Sequence, residues 1–356
     1  MLLFPLKLRL EPCGGGGHHR CLNEMKIIMD YNHIISLENL YAAWMEFVCG
    51  KKYKKDVADF ALHLSRNIFR LHEELKNQTY CHGEYRAFSI SDPKPRSIHK
   101  ATVQDRLLHH AIYRVLYPYF DTKFIYDSYS CRYLKGTHKA LDRFTDFYYK
   151  VSRNNHRTCW VLKCDIKKFF ASIDHSILMI IVKRHISDVS IVGLIQNIVE
   201  SFQSTGQGKG LPLGNLTSQL LVNVYMNEFD QYVKHVLKAK HYIRYADDFV
   251  IMSEDKNYLL DLLPKINLFL KSKLALDLHP NKVFIKTFSS GVDFLGWVHF
   301  SDHRVLRTAT KKRMIRTIKK SPSSTTLQSY IGMMNHGNAQ KLKNKIVGLI
   351  PSSPSP

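Results

Sequence analysis

The stretch YIRYADDFVIM sets two adjacent carboxylates, Asp247 and Asp248, in the middle of an otherwise largely apolar run. Such a run reads as a hairpin of two buried strands turned at Ala246–Asp248. An ionised carboxylate in apolar surroundings is unfavourable unless it is paired, hydrogen-bonded or bound to metal. A third acid, Asp165, closes a second short apolar run, TCWVLKCDI, which reads as a buried strand over 158–166. Singly, these acids have ordinary explanations: a solvated turn for the pair and a helix N-cap for Asp165. Together they suit hard-cation chemistry. Two Mg²⁺ ions held about 4 Å apart need carboxylates on neighbouring strands, with substrate phosphates completing the shells.

The rest of the chain reads as α+β around these strands. Apolar residues recur at helical spacing over 34–78. The breaker SDPKPRS, flanked by Phe88, Ile90 and Ile98, predicts a hairpin with a basic tip in 79–99. A helix follows from Thr102 to Leu116, ending before Pro118. Helical pattern resumes over 175–203, 216–237 and 257–275, with the glycine-rich loop TGQGKGLPLG at 205–214. Residues 283–300 read as two strands flanking Gly291, and 304–320 (RVLRTATKKRMIRTIKK) as a basic helix.

Lys and Arg number 52 against 30 Asp and Glu, a net charge of +22. That excess calls for a polyanionic partner, and nucleic acid fits best because neutralised phosphates release counterions. It is concentrated late: residues 301–350 carry eleven Lys and Arg against the single acid Asp302. Seven scattered cysteines without a CxxC spacing read as reduced thiols, so a cytoplasmic setting is expected. No apolar run reaches membrane-spanning length. Cys13, His18, His19 and Cys21 are metal-ligand types, but the GGGG run among them reads as a disordered tail over 1–24. Those first residues also read as an upstream extension, with Met25 a candidate start.

Tyr245-Ala246-Asp247-Asp248 resembles the YADD signature of reverse transcriptases, and DIKKFFASIDH resembles their first catalytic block. The resemblance runs over about residues 80–340. KPRSIHKATVQDRLLHHAIYRVLYP and DSYSCRYLKGTHKAL resemble two fingers blocks, LHPNKVFIKT a later palm block, and VDFLGW the primer-grip hairpin. It implies a right-hand polymerase: N-terminal helices and fingers over 25–157, palm over 158–300, helical thumb over 301–350 and a tail at 351–356. It implies Asp165, Asp247 and Asp248 as ligands of two Mg²⁺, with Mn²⁺ as a substitute. It implies Lys94, Arg96, Arg132 and Lys282 at triphosphate or template phosphates. Phe170 falls where the family places the ring that excludes a 2′-hydroxyl, with Phe169 as its core neighbour. Phe294, Leu295 and Gly296 fall in the primer grip, and Arg307, Lys311, Lys312 and Arg316 on a thumb helix along the primer–template duplex. The plainer alternatives are a core role for Phe170 and solvated surfaces for Lys94 and the thumb helix.

Within the family, LGNLTSQ departs from the QG…SP pattern of intron and retroviral relatives. With SYIGMMNHGNAQKL, it resembles the enzymes of diversity-generating retroelements. That resemblance implies template RNA, an RNA–cDNA duplex and dNTPs as ligands, a small basic accessory protein as partner, and errors at template adenines. It places Leu213, Gly214 and Gln219 beside the nucleotide. Leucine cannot hydrogen-bond, so selection there relies on shape, unless Leu213 simply packs against the palm. Ending after the thumb, the chain is expected to lack an appended endonuclease or RNase H module. The alternatives are another bacterial reverse transcriptase, of retron, intron or phage-defence type, and an inactive RNA-binding scaffold. The intact aspartates argue against the scaffold.

Overall fold

In the computed structural model, the described residues are 29–91, 95–204, 206–320 and 323–347. The tails, the Cys13–Cys21 cluster and Lys94 lie outside them.

The N-terminal helices form because each start is capped and each apolar stripe has a partner. Asp30 caps α1 (Tyr31–Ile35) and Ser36 caps α2 (Leu37–Val48). α3 (Lys55–Leu62) and α4 (Leu64–Lys76) follow. Leu40, Ala43, Trp44 and Phe47 of α2 are buried with Leu107, Leu108 and Ala111 of α5 (Val103–Lys123). Buried Asn39 pins α2 to α5, donating to the carbonyls of Ile34 at 2.8 Å and Ala111 at 3.1 Å. Between α4 and α5 stands the expected hairpin, β1 (Arg86–Ile90) and β2 (Arg96–Lys100), antiparallel with Ile90 opposite Arg96. α5 corrects the sequence reading, because it runs through Pro118 rather than ending before it. Leu116 and Phe120 are both buried there. Their burial outweighs the roughly 3 kcal/mol that an interior proline costs.

The centre is a four-stranded antiparallel sheet in the order β4-β5-β3-β6: β3 (Trp160–Asp165), β4 (His241–Tyr245), β5 (Asp248–Ser253) and β6 (Phe284–Thr287). Both faces are covered, which is why these strands read as nearly continuous apolar runs. Leu162, Cys164, Phe249 and Ile251 face the larger core, with α5, α8 (His175–His185), α9 (Val189–Glu200), α10 (Leu216–Gln231) and α11 (Lys256–Leu274). Val161, Val250 and Met252 face a second core with α6 (Thr137–Ser152) and the C-terminal elements. Between β3 and α8 lies the short α7 (Phe169–Ser172). A π-helical turn, Tyr232–Val236, extends α10.

Residues 283–300 hold three strands rather than two. Gly291, at φ +86°, ends the palm strand β6 and its following turn. Then β7 (Val292–Phe294), β8 (Trp297–His299) and β9 (Arg304–Leu306) form a separate antiparallel sheet with β8 in the middle. The basic segment 304–320 is therefore a strand followed by α12 (Thr308–Lys320), and the sheet straddles the boundary expected at 300. Arg304, Val305 and Leu306 pair with His299, Val298 and Trp297, which makes RVL an edge strand on β8. α13 (Ser324–Met334) and α14 (Gln340–Val347) complete the helical end. Helical fingers with a hairpin, an antiparallel palm and a helical thumb make this an α+β right-hand polymerase fold.

One ion pair fixes the palm. Arg244 of β4 and Asp230 of α10 are both 0% exposed. One edge of the guanidinium, Nε and Nη2, donates to the two carboxylate oxygens at 2.7 and 2.6 Å. It also donates to Ser128 Oγ and to the Ala246 carbonyl, each at 3.1 Å, and Tyr242 donates to Asp230 at 2.7 Å. Removing one member strands the other without water. Arg244→Met is expected to lower unfolding free energy by about 3–5 kcal/mol in urea titrations. Adding Asp230→Leu should recover more than half of that loss.

Candidate active site

The three aspartates meet at one end of the palm sheet. Asp165, the last residue of β3, lies opposite Asp248, the first of β5. Tyr245 pairs with Asp248, so Ala246 and Asp247 form the two-residue turn between β4 and β5. Ala246 takes a left-handed φ of +55°. For a non-glycine residue that conformation costs on the order of 1 kcal/mol, and the Arg244 hydrogen bond to its carbonyl helps hold it. The turn is tied to β3 by the Ile166 N–H, which donates to the Asp247 carbonyl at 3.1 Å. Thr137 Oγ1 donates to the Tyr245 hydroxyl at 3.1 Å, fixing the same turn from α6.

Crowding of like charge shows in the acidities. Burial raises the Asp247 carboxyl, the charge of Asp165 raises it further, and Lys282 and Arg96 oppose both. Burial pushes Asp248 up to about 7; Lys163 opposes the rise, while Asp247 and Asp165 add to it. Asp248 Oδ1 is enclosed without a hydrogen-bond partner. Its Oδ2 lies 3.2 Å from Lys163 Nζ, and Asp165 Oδ1 lies 2.8 Å from Lys282 Nζ. No three His, Cys, Asp or Glu side chains among the described residues form a ready-made metal cage. An open acidic cluster suits a cation that takes its remaining oxygens from substrate and water.

Other expected site residues gather nearby. Arg96 opens β2, and its charge opposes the upward shift of the Asp247 carboxyl from the fingers side. Half-buried Phe170 sits in α7, edge-on to the buried Phe169 at 5.6 Å between centroids. Its carbonyl accepts from Leu211 N–H at 2.8 Å, bringing the 210–214 loop beside it. The Leu213 carbonyl accepts from His99 N–H of β2 at 3.4 Å. Gly214 has φ +114°, and a Cβ there would stand 3.3 Å from Ile98 Cγ2, so the loop needs glycine against the hairpin. Gln219 is half-buried on α10, where its carbonyl accepts from Asn223. Lys282 meets Asp165 directly, rather than facing open space.

Two assignments need correction. Arg132 is unavailable to phosphate. Its side chain is 6% exposed, and its guanidinium donates to Asp121 Oδ1 and the Ile125 carbonyl at 2.7 Å and to the Ser128 carbonyl at 3.1 Å. It clamps a loop in which Cys131 and Leu134 have positive φ. Phe294 is fully buried and stacks on Phe144 at 4.8 Å, so its ring belongs to the core. The turn of the β7–β8 hairpin, Leu295 and Gly296 at φ +49° and +89°, is half-buried rather than enclosed. Arg307 contacts Asp293, and its N–H donates to the Gly296 carbonyl at 3.1 Å. On α12, Met314 and Ile318 are buried, Lys311 is half-buried, and Lys312 and Arg316 are exposed on the opposite side.

Sequence reasoning missed Lys163, Arg244 and Asp230. The available signal was a cation within each apolar strand, in WVLKCD and YIRY, since a buried cation demands a partner.

The family profile described as "Reverse transcriptase (RNA-dependent DNA polymerase)" matches residues 89–299, more than half of the chain. The chain belongs to the reverse transcriptase family. It is similar to Protein YkfC of Escherichia coli, 25% identical over 271 residues, covering 65% of this chain and 68% of that protein. It is also similar to the group II intron-encoded protein LtrA of Lactococcus lactis, 24% identical, covering 82% of this chain and 59% of LtrA. Among solved structures, apo telomerase from Candida tropicalis matches with a TM-score of 0.48 at 13% identity, covering 69% of this chain and 60% of that one. No helix among the described residues is long and apolar enough to cross a membrane.

A carboxyl raised on folding makes the folded state hold more protons than the unfolded one. Its contribution to stability is present at low pH and is lost as pH climbs through the folded value. Buried His109, His110 and His299, lowered to about 3 by burial, act in the opposite sense. The difference between wild type and Asp248→Asn isolates the carboxyl. Measured in chelator, wild-type stability relative to the variant should fall from the ordinary carboxylate range up to about pH 7, then level off. A flat difference would remove the buried, crowded character assigned to Asp248.

Proposed function

We propose that this chain is an RNA-directed DNA polymerase of the diversity-generating retroelement type, copying a template RNA with frequent errors at adenines. The carrying observation is the convergence of Asp165, Asp247 and Asp248 at the end of the palm sheet, inside the segment that matches the family. The enclosed, unpartnered Asp248 oxygen and the raised acidities of Asp247 and Asp248 are what divalent cations would relieve. Asp165, Asp247 and Asp248 would hold two Mg²⁺, or Mn²⁺ in their place. When bound, these ions supply activation of the primer 3′-hydroxyl and charge neutralisation on the triphosphate.

The chain's own residues do the positioning. Arg96, on the fingers hairpin and close enough for its charge to act on Asp247, would meet incoming phosphates, a role also proposed for Lys94. Lys282 pairs with Asp165 and, being partly exposed, would turn to a departing pyrophosphate. Phe170 closes the sugar side of the pocket against a 2′-hydroxyl. The Leu213–Gly214 loop, between α7 and β2, forms the wall beside the new base pair, with Gln219 behind it. Leu295 and Gly296 form the primer-grip turn, and Lys311, Lys312 and Arg316 line the duplex. We assign fingers to 25–157, palm to 158–300 and thumb to 301–350, with β9 tying the last two together. Template RNA, the RNA–cDNA duplex, dNTPs and a small basic accessory protein are the proposed partners, in the cytoplasm. The similarity to LtrA favours an intron-type enzyme as the second reading, in which Leu213 only packs.

Two measurements test the reading. Asp247→Asn should abolish primer extension on RNA while leaving RNA affinity nearly unchanged, because affinity comes from dispersed Lys and Arg contacts. Near-wild-type extension would overturn the metal assignment. Leu213→Gln should retain activity and lower errors at template adenines by roughly tenfold to a hundredfold, through a polar contact of about 1–3 kcal/mol. Sequencing both cDNAs decides: equal spectra remove Leu213's role, and a faithful wild type removes the retroelement subtype in favour of the second reading.

A further inference from the structure

Lys163 occupies β3 two residues before Asp165, on the sheet face shared with Val250. A lysine there is surrounded by apolar neighbours, and its side chain is only 9% exposed. Its ammonium has two partners, and they belong to different sheets. One is Asp248 Oδ2 at 3.2 Å, in the palm. The other is the carbonyl of Asp293 at 2.8 Å, in β7, immediately before the primer-grip turn. No strand pairing joins these two sheets. From Asp293 the polar path continues to Arg307, which in turn donates its N–H to the Gly296 carbonyl. One buried cation therefore connects a carboxylate of the candidate metal site to both ends of the grip turn and to the first residues of the thumb.

We propose that Lys163 is a positioning residue that sets the primer-grip hairpin at a fixed distance from Asp248, so that the primer terminus arrives in register with the aspartates. The inference rests on the polymerase reading above. Neutralising Asp248 alone would need no bond to a backbone carbonyl of another sheet, and a purely apolar contact would allow the hairpin to slide. The ammonium does both because it is short of water and must keep its partners. Apolar packing around Phe294 and Trp297 fixes the hairpin's fold, whereas Lys163 fixes where its turn stands relative to the acids.

The test compares K163M, which keeps the apolar stem, with K163R, which keeps the charge. Four quantities are read on full-length protein: melting temperature, backbone hydrogen exchange of residues 292–299 without nucleic acid, affinity for a labelled primer–template hybrid in chelator, and the single-turnover extension rate per bound complex. K163M should melt below wild type, because Asp248 loses its cation, and should exchange faster in β7. It should bind the hybrid roughly threefold to tenfold more weakly. It should extend roughly tenfold to a hundredfold more slowly at unchanged dNTP KM, as a misplacement near 1 Å produces. K163R should regain most of that rate. A merely structural lysine would lower melting temperature and active fraction, leaving the rate per bound complex intact. Exchange, affinity and rate of K163M all within about twofold of wild type would overturn the proposal, as would equal impairment of K163R and K163M. A wild-type protein that extends no primer overturns the polymerase reading instead, and the exchange of residues 292–299 still decides the role of Lys163.

Discussion

The palm depends on a charged pair sealed from solvent. Arg244 and Asp230 have no access to water, so each must satisfy the other, and their two-point grip fixes β4 against α10. The remaining guanidinium donors reach Ser128 and the Ala246 carbonyl, which links the fingers connection and the YADD turn to the same centre. The backbone repeats that linkage: Arg244 N–H donates to the Asp127 carbonyl, and Tyr129 N–H to the Arg244 carbonyl, both at 3.0 Å. An apolar pair of similar volume could stabilise the palm as well. It could not hold the carbonyl of a left-handed alanine next to a cluster of acids.

That rigidity lets three carboxylates stay close. Left to relax, like charges in a half-dry site would separate or take up protons, and the raised Asp247 and Asp248 show the pull toward protonation. The protein resists it with cations assigned one to each side of the sheet end: Lys282 to Asp165, and Lys163 to Asp248. These cations differ in kind. Lys282 is 42% exposed, whereas Lys163 is enclosed and bound to a second sheet. One is suited to movement during a reaction and the other to holding a distance.

The surfaces around the aspartates have separate mechanical supports. The fingers hairpin stands on α3 through the Lys100–Asp56 pair at 2.7 Å, and it touches the 210–214 loop through His99 and Ile98. The β7–β8 hairpin is held by Lys163 through the Asp293 carbonyl and by Arg307 through the Gly296 carbonyl. The 210–214 loop beside Phe170 is thus coupled to the hairpin, while the β7–β8 turn is tied to the palm. In the loop at 127–136, Arg132 is enclosed and braces the chain through Asp121 and backbone carbonyls.

The aspartates, the hairpin around them and most helices were legible in the sequence, because each rests on a local rule. Period-3.6 stripes with caps specify α2 and α11. Apolar runs interrupted by acids specify β3 and the β4–β5 turn. YADD with its flanking blocks specifies the family. What the sequence could not disclose depends on distant partners. Pro118 lies within a helix because Leu116 and Phe120 are buried around it. RVL is a strand because β8 offers an edge. Arg132 looks like a phosphate ligand until Asp121 and two carbonyls are brought to it, and Phe294 looks like a grip residue until Phe144 covers it. Lys163 and Arg244 announced only that a buried cation needs a counterpart. Which counterpart was decided by tertiary structure, because the energy of a buried charge depends on what stands within about 3 Å of it in space, and no local pattern encodes that neighbour.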